Sequence, residues 1–162
     1  MKTYMMYSYD KKSGKKYYDR HLLERFRDCE TKDEIETMAS RIVYLFFRNL
    51  GSCVTDHAWD HAIKIRNRTN DEHDLSYFYT KKTMLNAIRD CISYNSQDLI
   101  EFLQTDYMKC TIECRTSLSV GLLYPKGTGF NNPKRCYGIR VIVTKDNFNP
   151  MRLCVTTAYA LL

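Results

Sequence analysis

YMKCTIEC, residues 107–114, is where the chain changes its period. Met108, Cys110, Ile112 and Cys114 alternate with polar partners, the two-residue repeat of a half-buried strand. The segments before it repeat at the helical interval instead. Just upstream, Leu99, Ile100, Phe102 and Leu103 form a helical apolar group that Asn95 or Ser96 can cap. Further back, a helix over Lys81 to Ile92 turns Met84, Leu85, Ala87, Ile88 and Cys91 inward. Thr31 followed by Glu34 is a capping box. It opens a helix whose stripe runs through Ile35, Met38, Ile42, Leu45, Phe46 and Leu50, with Gly51 placed to end it. HLLERFR, residues 21–27, reads as a short amphipathic helix, and the Tyr- and Lys-rich residues 1–18 as a hairpin or irregular arm. DEHDLSYFY, residues 71–79, reads as a polar connection ending in aromatics. Downstream of the switch, Ser117 to Tyr124 reads as a second strand, followed by the basic loop PKGTGFNNPKR, residues 125–135. Tyr137 to Lys145 and Arg152 to Tyr159 then flank the turn DNFNP. Helices first and an antiparallel sheet second define an α+β fold.

The 162 residues suit one domain, read here as a helical extension over 1–54 and a main region over 55–162. A hydrophobic share of 44% argues against disorder, and six glycines with three prolines leave no composition for a long linker. The 25 Lys and Arg exceed the 19 Asp and Glu, a net charge of +6 that favours an acidic partner such as nucleic acid. Seven cysteines, odd in number and without a CxxC pair, fit neither a zinc ribbon nor a disulfide framework. They read as mostly buried free thiols suited to a reducing compartment. No apolar run of signal-peptide or membrane-spanning length is present, so no membrane association is expected.

The candidate chemistry begins in DHAWDHAIKIRNRTN, residues 56–70. On a helix Ala58, Trp59, Ala62, Ile63 and Ile65 share one arc, and His57, His61, Lys64 and Arg68 the opposite one. At about 100° per residue, His57 and Arg68 differ by roughly 20° in direction but stand about 16 Å apart along a straight axis. They meet at one phosphate only if the helix ends or bends before Arg68, which Asn67, Thr69 and Asn70 allow. The simpler reading is an amphipathic helix with a solvated basic face. His57 and His61 at i, i+4 also have zinc-ligand spacing. Position 58 is Ala, however, not the Glu that such helices carry, and no third ligand is evident, so no metal or other cofactor is expected.

The second group closes the chain in VTTAYALL, residues 155–162. On a regular strand Thr157 and Tyr159 share a face and Thr156 takes the other. A hydroxyl and a phenol there can both donate to a phosphoryl oxygen. His57 with Arg68 eleven residues on, Ser76-Tyr77-Phe78 leading into the next helix, and GIRVIV followed by V-T-T-A-Y resemble, in that order, the bacterial RNase A-like toxin domain. That domain is found at the C-terminal tips of contact-dependent growth-inhibition and related polymorphic toxins. The resemblance spans about residues 55–162. It departs from the family pattern where His-Val-Gly is replaced by His57-Ala58-Trp59, and where Ala160 takes the place of the proline in Thr-Ala-Tyr-Pro.

The resemblance implies metal-independent RNA cleavage in a kidney-shaped α+β fold like that of pancreatic ribonuclease, often without its disulfides. Carried over, His57 matches the catalytic histidine, Arg68 the active-site arginine, and Thr157 and Tyr159 the C-terminal pair. His61 is a rival for the catalytic histidine. His61, Lys64 and Thr156 are candidate substrate contacts. The implied partners are an RNA substrate and an acidic immunity protein, for a monomer that acts in the cytoplasm of a target cell. The alternative is a non-catalytic RNA- or protein-binding module on the same scaffold.

Overall fold

A computed structural model describes residues 29–63, 70–105, 107–146 and 152–162, together with the backbone of strand β1 (Thr3–Met6). The predicted helix over 21–27, the remainder of the N-terminal arm, Lys64, Arg68 and the turn at 147–150 lie outside the described residues.

Among the described residues five helices follow β1 or interleave with the strands: α1 (Lys32–Arg48), α2 (Leu50–Cys53), α3 (Asp56–Ile63), α4 (Lys81–Tyr94) and α5 (Ser96–Leu103). The other strands are β2 (Leu75–Phe78), β3 (Tyr107–Arg115), β4 (Gly121–Tyr124), β5 (Lys134–Cys136), β6 (Gly138–Lys145) and β7 (Leu153–Leu161). They form a four-stranded sheet in the order β1-β3-β6-β7 and a three-stranded sheet β2-β4-β5, with every pair antiparallel. The fold is α+β, as the change of period predicts.

The capping box opens α1. Thr31 Oγ1 accepts from Glu34 N at 3.2 Å, while the Glu34 carboxylate accepts from Glu30 N at 2.8 Å. Ala39, Ile42, Val43 and Phe46 are buried, but Leu45 is exposed, so the apolar stripe is narrower than its spacing predicts. The helix stops at Asn49 rather than Gly51: Asn49 leaves helical geometry at φ −103° and ψ 24°, and its side-chain amide joins its backbone N–H in donating to Leu45 O. Gly51 lies inside α2.

Asn95, predicted as an N-cap, makes no side-chain cap bond to α5. Its amide donates instead to Cys91 O at 2.9 Å and to Glu113 O at 3.0 Å, tying the end of α4 to β3. The strand switch behaves as its pattern requires: Met108, Cys110 and Ile112 are buried and Lys109 is exposed. Lys145 is the cation on the apolar side of β6. It is 2% exposed, donates to Thr105 O at 2.6 Å and sits 4.5 Å from the Phe102 ring centroid.

Two short strands arise where the sequence pattern predicts loops. β2 emerges from the polar connection at 71–79, and β5 takes Lys134 and Arg135 out of the basic loop. Both are recruited by β4, whose own start moves to Gly121. A Cβ at Gly121 would collide with the Tyr77 carbonyl, so the β2–β4 approach requires glycine there. Buried Asn70 secures the loop by donating to Pro125 O at 2.8 Å and to Gly129 O at 2.5 Å. β1 pairs antiparallel with β3, with Thr3 opposite Thr111. Among the described residues no helix is long and apolar enough to cross a membrane.

Candidate active site

Helix α3 is built from a threonine cap. Thr55 Oγ1 accepts from Ala58 N at 3.2 Å and Thr55 O accepts from Trp59 N at 3.1 Å. The same residue ties the helix to the sheet, since Thr55 N donates to Val155 O at 3.0 Å beside a parallel bridge between Val54 and Val155. The start of α3 is therefore sewn to the outer edge of β7. Ala58 and Ala62 are buried against the core, Trp59 is half-buried under Lys81, and His57 and His61 are exposed. The two imidazoles stand 4.0 Å apart between ring centroids, tilted by 39°. Among the described residues no third His, Cys, Asp or Glu completes a metal-holding group.

On β7 the alternation slips. Ile142 pairs with Thr157 and Val143 with Val155, leaving Thr156 as the extra residue of a bulge. Val155 and Ala158 are buried, and both threonines between them are half-buried. The expectation that Thr156 points away from Thr157 and Tyr159 is thus corrected: the bulge turns two consecutive hydroxyl residues to the outer face. Thr156 Oγ1 lies 3.0 Å from Thr144 Oγ1, on the outer side of β6, and 3.4 Å from Ile142 O. Its hydroxyl thus makes cross-strand bonds within the sheet. Tyr159, 45% exposed, completes the outward set.

His57 is two residues beyond Thr55, and Thr157 two residues beyond its partner Val155, so the structure brings the start of α3 alongside the hydroxyl-bearing stretch of β7. His61 belongs to the same corner. Arg68 and Lys64 fall outside the described residues.

Two charged groups beside this corner escaped the sequence reading. Arg140 is directly opposite Tyr159 on β6, and its Nε donates to Glu113 Oε1 of β3 at 2.6 Å. Alternation within GIRVIV already turns Arg140 outward, but only strand register reveals Tyr159 as its neighbour. Near the site, β2 packs against both α3 and β7, and its Tyr77 hydroxyl is buried with no hydrogen-bond partner among the described residues. The cysteines have a different character. Burial pushes the Cys136 thiol up to about 11 and raises Cys91, Cys114 and Cys154, which keeps these groups neutral and unreactive at physiological pH.

No curated protein matches the chain. Among solved structures, the crystal structure of a CdiA-CT/CdiI complex from Y. kristensenii 33638 matches with a TM-score of 0.50 at 18% identity. The match covers 55% of this chain and 78% of that one, and at this identity it establishes likeness of fold. The model of the bacterial CdiA-CT RNAse A domain matches residues 51–160, which takes in α3, both sheets apart from β1, and nearly all of β7. The chain belongs to the bacterial CdiA-CT RNAse A domain family, and through it to the endoribonuclease toxins.

Proposed function

We propose that this ribonuclease cleaves RNA without a metal, by attack of the 2′-hydroxyl on the adjacent phosphorus to leave a 2′,3′-cyclic phosphate. The observation that supports the reading is the Thr55–Val155 bond, which ties the start of α3, two residues before exposed His57, to the strand that carries Thr157 and Tyr159. RNA supplies its own nucleophile, so the protein needs a proton acceptor, a proton donor and support for a pentavalent phosphorane. His57 takes the 2′-OH proton as the O2′–P bond forms, a task suited to imidazole at neutral pH. Arg68 offers its planar fork to the equatorial oxygens, and Thr157 adds a donor from the bulge. The P–O5′ bond then breaks, and the 5′-oxygen takes a proton from Tyr159. His61, stacked on His57, and Lys64 steer the polyanion, and Thr156 supports the bulge that aims Thr157.

The reading includes an immunity partner. A solved structure of similar fold is a CdiA-CT/CdiI complex, and an acidic protein covering the His57–Tyr159 corner would complement the net charge of +6 and block substrate entry. Delivery into a target cell, and action on RNA in its cytoplasm as a monomer, complete the proposal.

The test is incubation of the protein with total RNA in EDTA, beside a His57→Ala variant. Cleavage that resists EDTA, disappears in the variant and yields ends carrying a cyclic phosphate is the expected result. Cleavage abolished by EDTA overturns metal independence, and binding without cleavage by the wild type overturns the catalytic reading.

A further inference from the structure

The outer face of the large sheet continues beyond Tyr159 in two rows. The first is Glu113–Arg140–Tyr159, and the next, two residues along each strand, is Arg115–Gly138–Leu161. Cross-strand neighbours have Cβ atoms about 4.5–5.5 Å apart, so the Arg140 stem begins beside Tyr159 and its guanidinium shares that face. Glu113 takes the Nε–H at 2.6 Å. This bond uses one of the five guanidinium donors and orients the plane, while the side chain remains 46% exposed. An arginine held by its Nε edge can still present its terminal nitrogens to a phosphate.

In the second row the central position has no side chain. A Cβ on Gly138 would lie 3.4 Å from both Cys114 O and the Leu161 Cβ, and 3.6 Å from Arg115 Nη1, so any larger group would fill the gap. A cleft of about 500 Å³ opens there, walled by Glu113, Arg115, Gly138 and Leu161, with Asp90 and Tyr94 on its α4 side. Tyr94 is 81% exposed, a ring with an open face at the rim. The cleft carries the Asp90 and Glu113 carboxylates beside Arg115, whose Nη1 donates to Leu162 O. It suits a base, whose amino groups donate to carboxylates and whose plane stacks on a ring.

We propose that this corner is a subsite for the RNA nucleotide flanking the scissile linkage, with its phosphate on Arg140 and its base in the Gly138 cleft against Tyr94. The inference rests on the ribonuclease reading for its substrate, but not on which residue moves which proton. Arg140 is a positioning residue here: it contacts a phosphate that does not react, and it acts through binding.

The experiment compares a dinucleoside monophosphate, which has only the scissile phosphate, with a tetranucleotide. Cleavage is followed with the ribo forms and binding with uncleavable 2′-deoxy forms. A charge-assisted hydrogen bond contributes about ten- to a hundredfold in affinity. Arg140→Gln is therefore expected to weaken tetranucleotide binding by that factor, raising KM with kcat little changed, and to leave the dinucleotide within about twofold. Gly138→Val, which fills the cleft while keeping Arg140, is expected to give the same substrate-dependent loss, and Arg140→Lys to rescue binding only in part. Equal losses on both substrates, or none on either, overturn the subsite while wild-type cleavage leaves the ribonuclease reading standing. Arg140-dependent binding by a protein that cleaves neither ribo form keeps the corner as a nucleotide-binding site but overturns the ribonuclease reading and, with it, the place of the site beside a scissile linkage.

Discussion

Two polar regions of this molecule use similar side chains for opposite ends. At the junction of α4, α5 and β3, Asn95 is buried and divides its amide between Cys91 O and Glu113 O. At the corner of α3 and β7, His57, His61 and Tyr159 stand at the surface beside a bulge. The first arrangement satisfies backbone acceptors that water cannot reach, so its hydrogen bonds stabilise the fold. The second keeps the His57 and Tyr159 side chains exposed, where they contribute little to folding. The backbone bond between Thr55 and Val155 joins the two kinds of region, because it anchors the start of α3 through main-chain atoms alone.

The contrast breaks most decisively at Tyr159. Tyr159→Phe is expected to lower kcat by about a hundredfold, the typical cost of one lost transition-state donor, with Tm nearly unchanged. A large fall in Tm would place the phenol among the structural hydrogen bonds instead. Arg68→Ala should act in the same direction and by a similar factor, measured as kcat on RNA alongside the melting curve. Asn95→Ala should do the reverse, destabilising the protein by about 1–3 kcal/mol in urea unfolding while activity per folded molecule is kept. Unchanged stability there would mean that the buried carbonyls find other partners.

Two smaller effects sharpen the comparison. Burial of the Tyr77 hydroxyl, which has no partner among the described residues, carries a desolvation cost, so Tyr77→Phe is expected to raise stability by about 1 kcal/mol, and a fall would reveal a partner. Burial holds the Cys136 pKa at about 11, above its ordinary 9.0. A group whose folded pKa is raised contributes fully below the unfolded value and loses that contribution as pH climbs through the folded one. Stability should therefore decline between about pH 9 and 11, and Cys136→Ala should make the decline shallower in melts across that range.

Much of the fold was legible because amphipathic period is a local property. The alternation at 107–114, the Thr31–Glu34 box and the Met84–Cys91 stripe each announce their element within a few residues. What escaped depends on partners far along the chain. β2 and β5 are four and three residues long and exist because β4 pairs with both. Asn95 looks like a cap until β3 brings Glu113 O within 3.0 Å. At the candidate site, His57, Thr157 and Tyr159 were readable as chemistry-bearing residues. The slip that turns Thr156 outward was not, because a bulge is a mismatch between two strands and neither strand's own alternation records it.

By itself, then, the order of residues determined an α+β chain with a basic balance, neutral thiols, an imidazole-bearing helix and a hydroxyl-bearing last strand. Those features follow from side-chain chemistry and from periods of 3.6 and 2. Only the tertiary structure decided that α3 is sewn to β7 at Val155, that two threonines share its outer face, and that Arg140 stands opposite Tyr159. Register and edge pairing are relations between separate segments, from about twenty residues apart for Arg140 and Tyr159 to about a hundred for Thr55 and Val155. They are selected by the free energy of the whole packed core, which no local pattern contains.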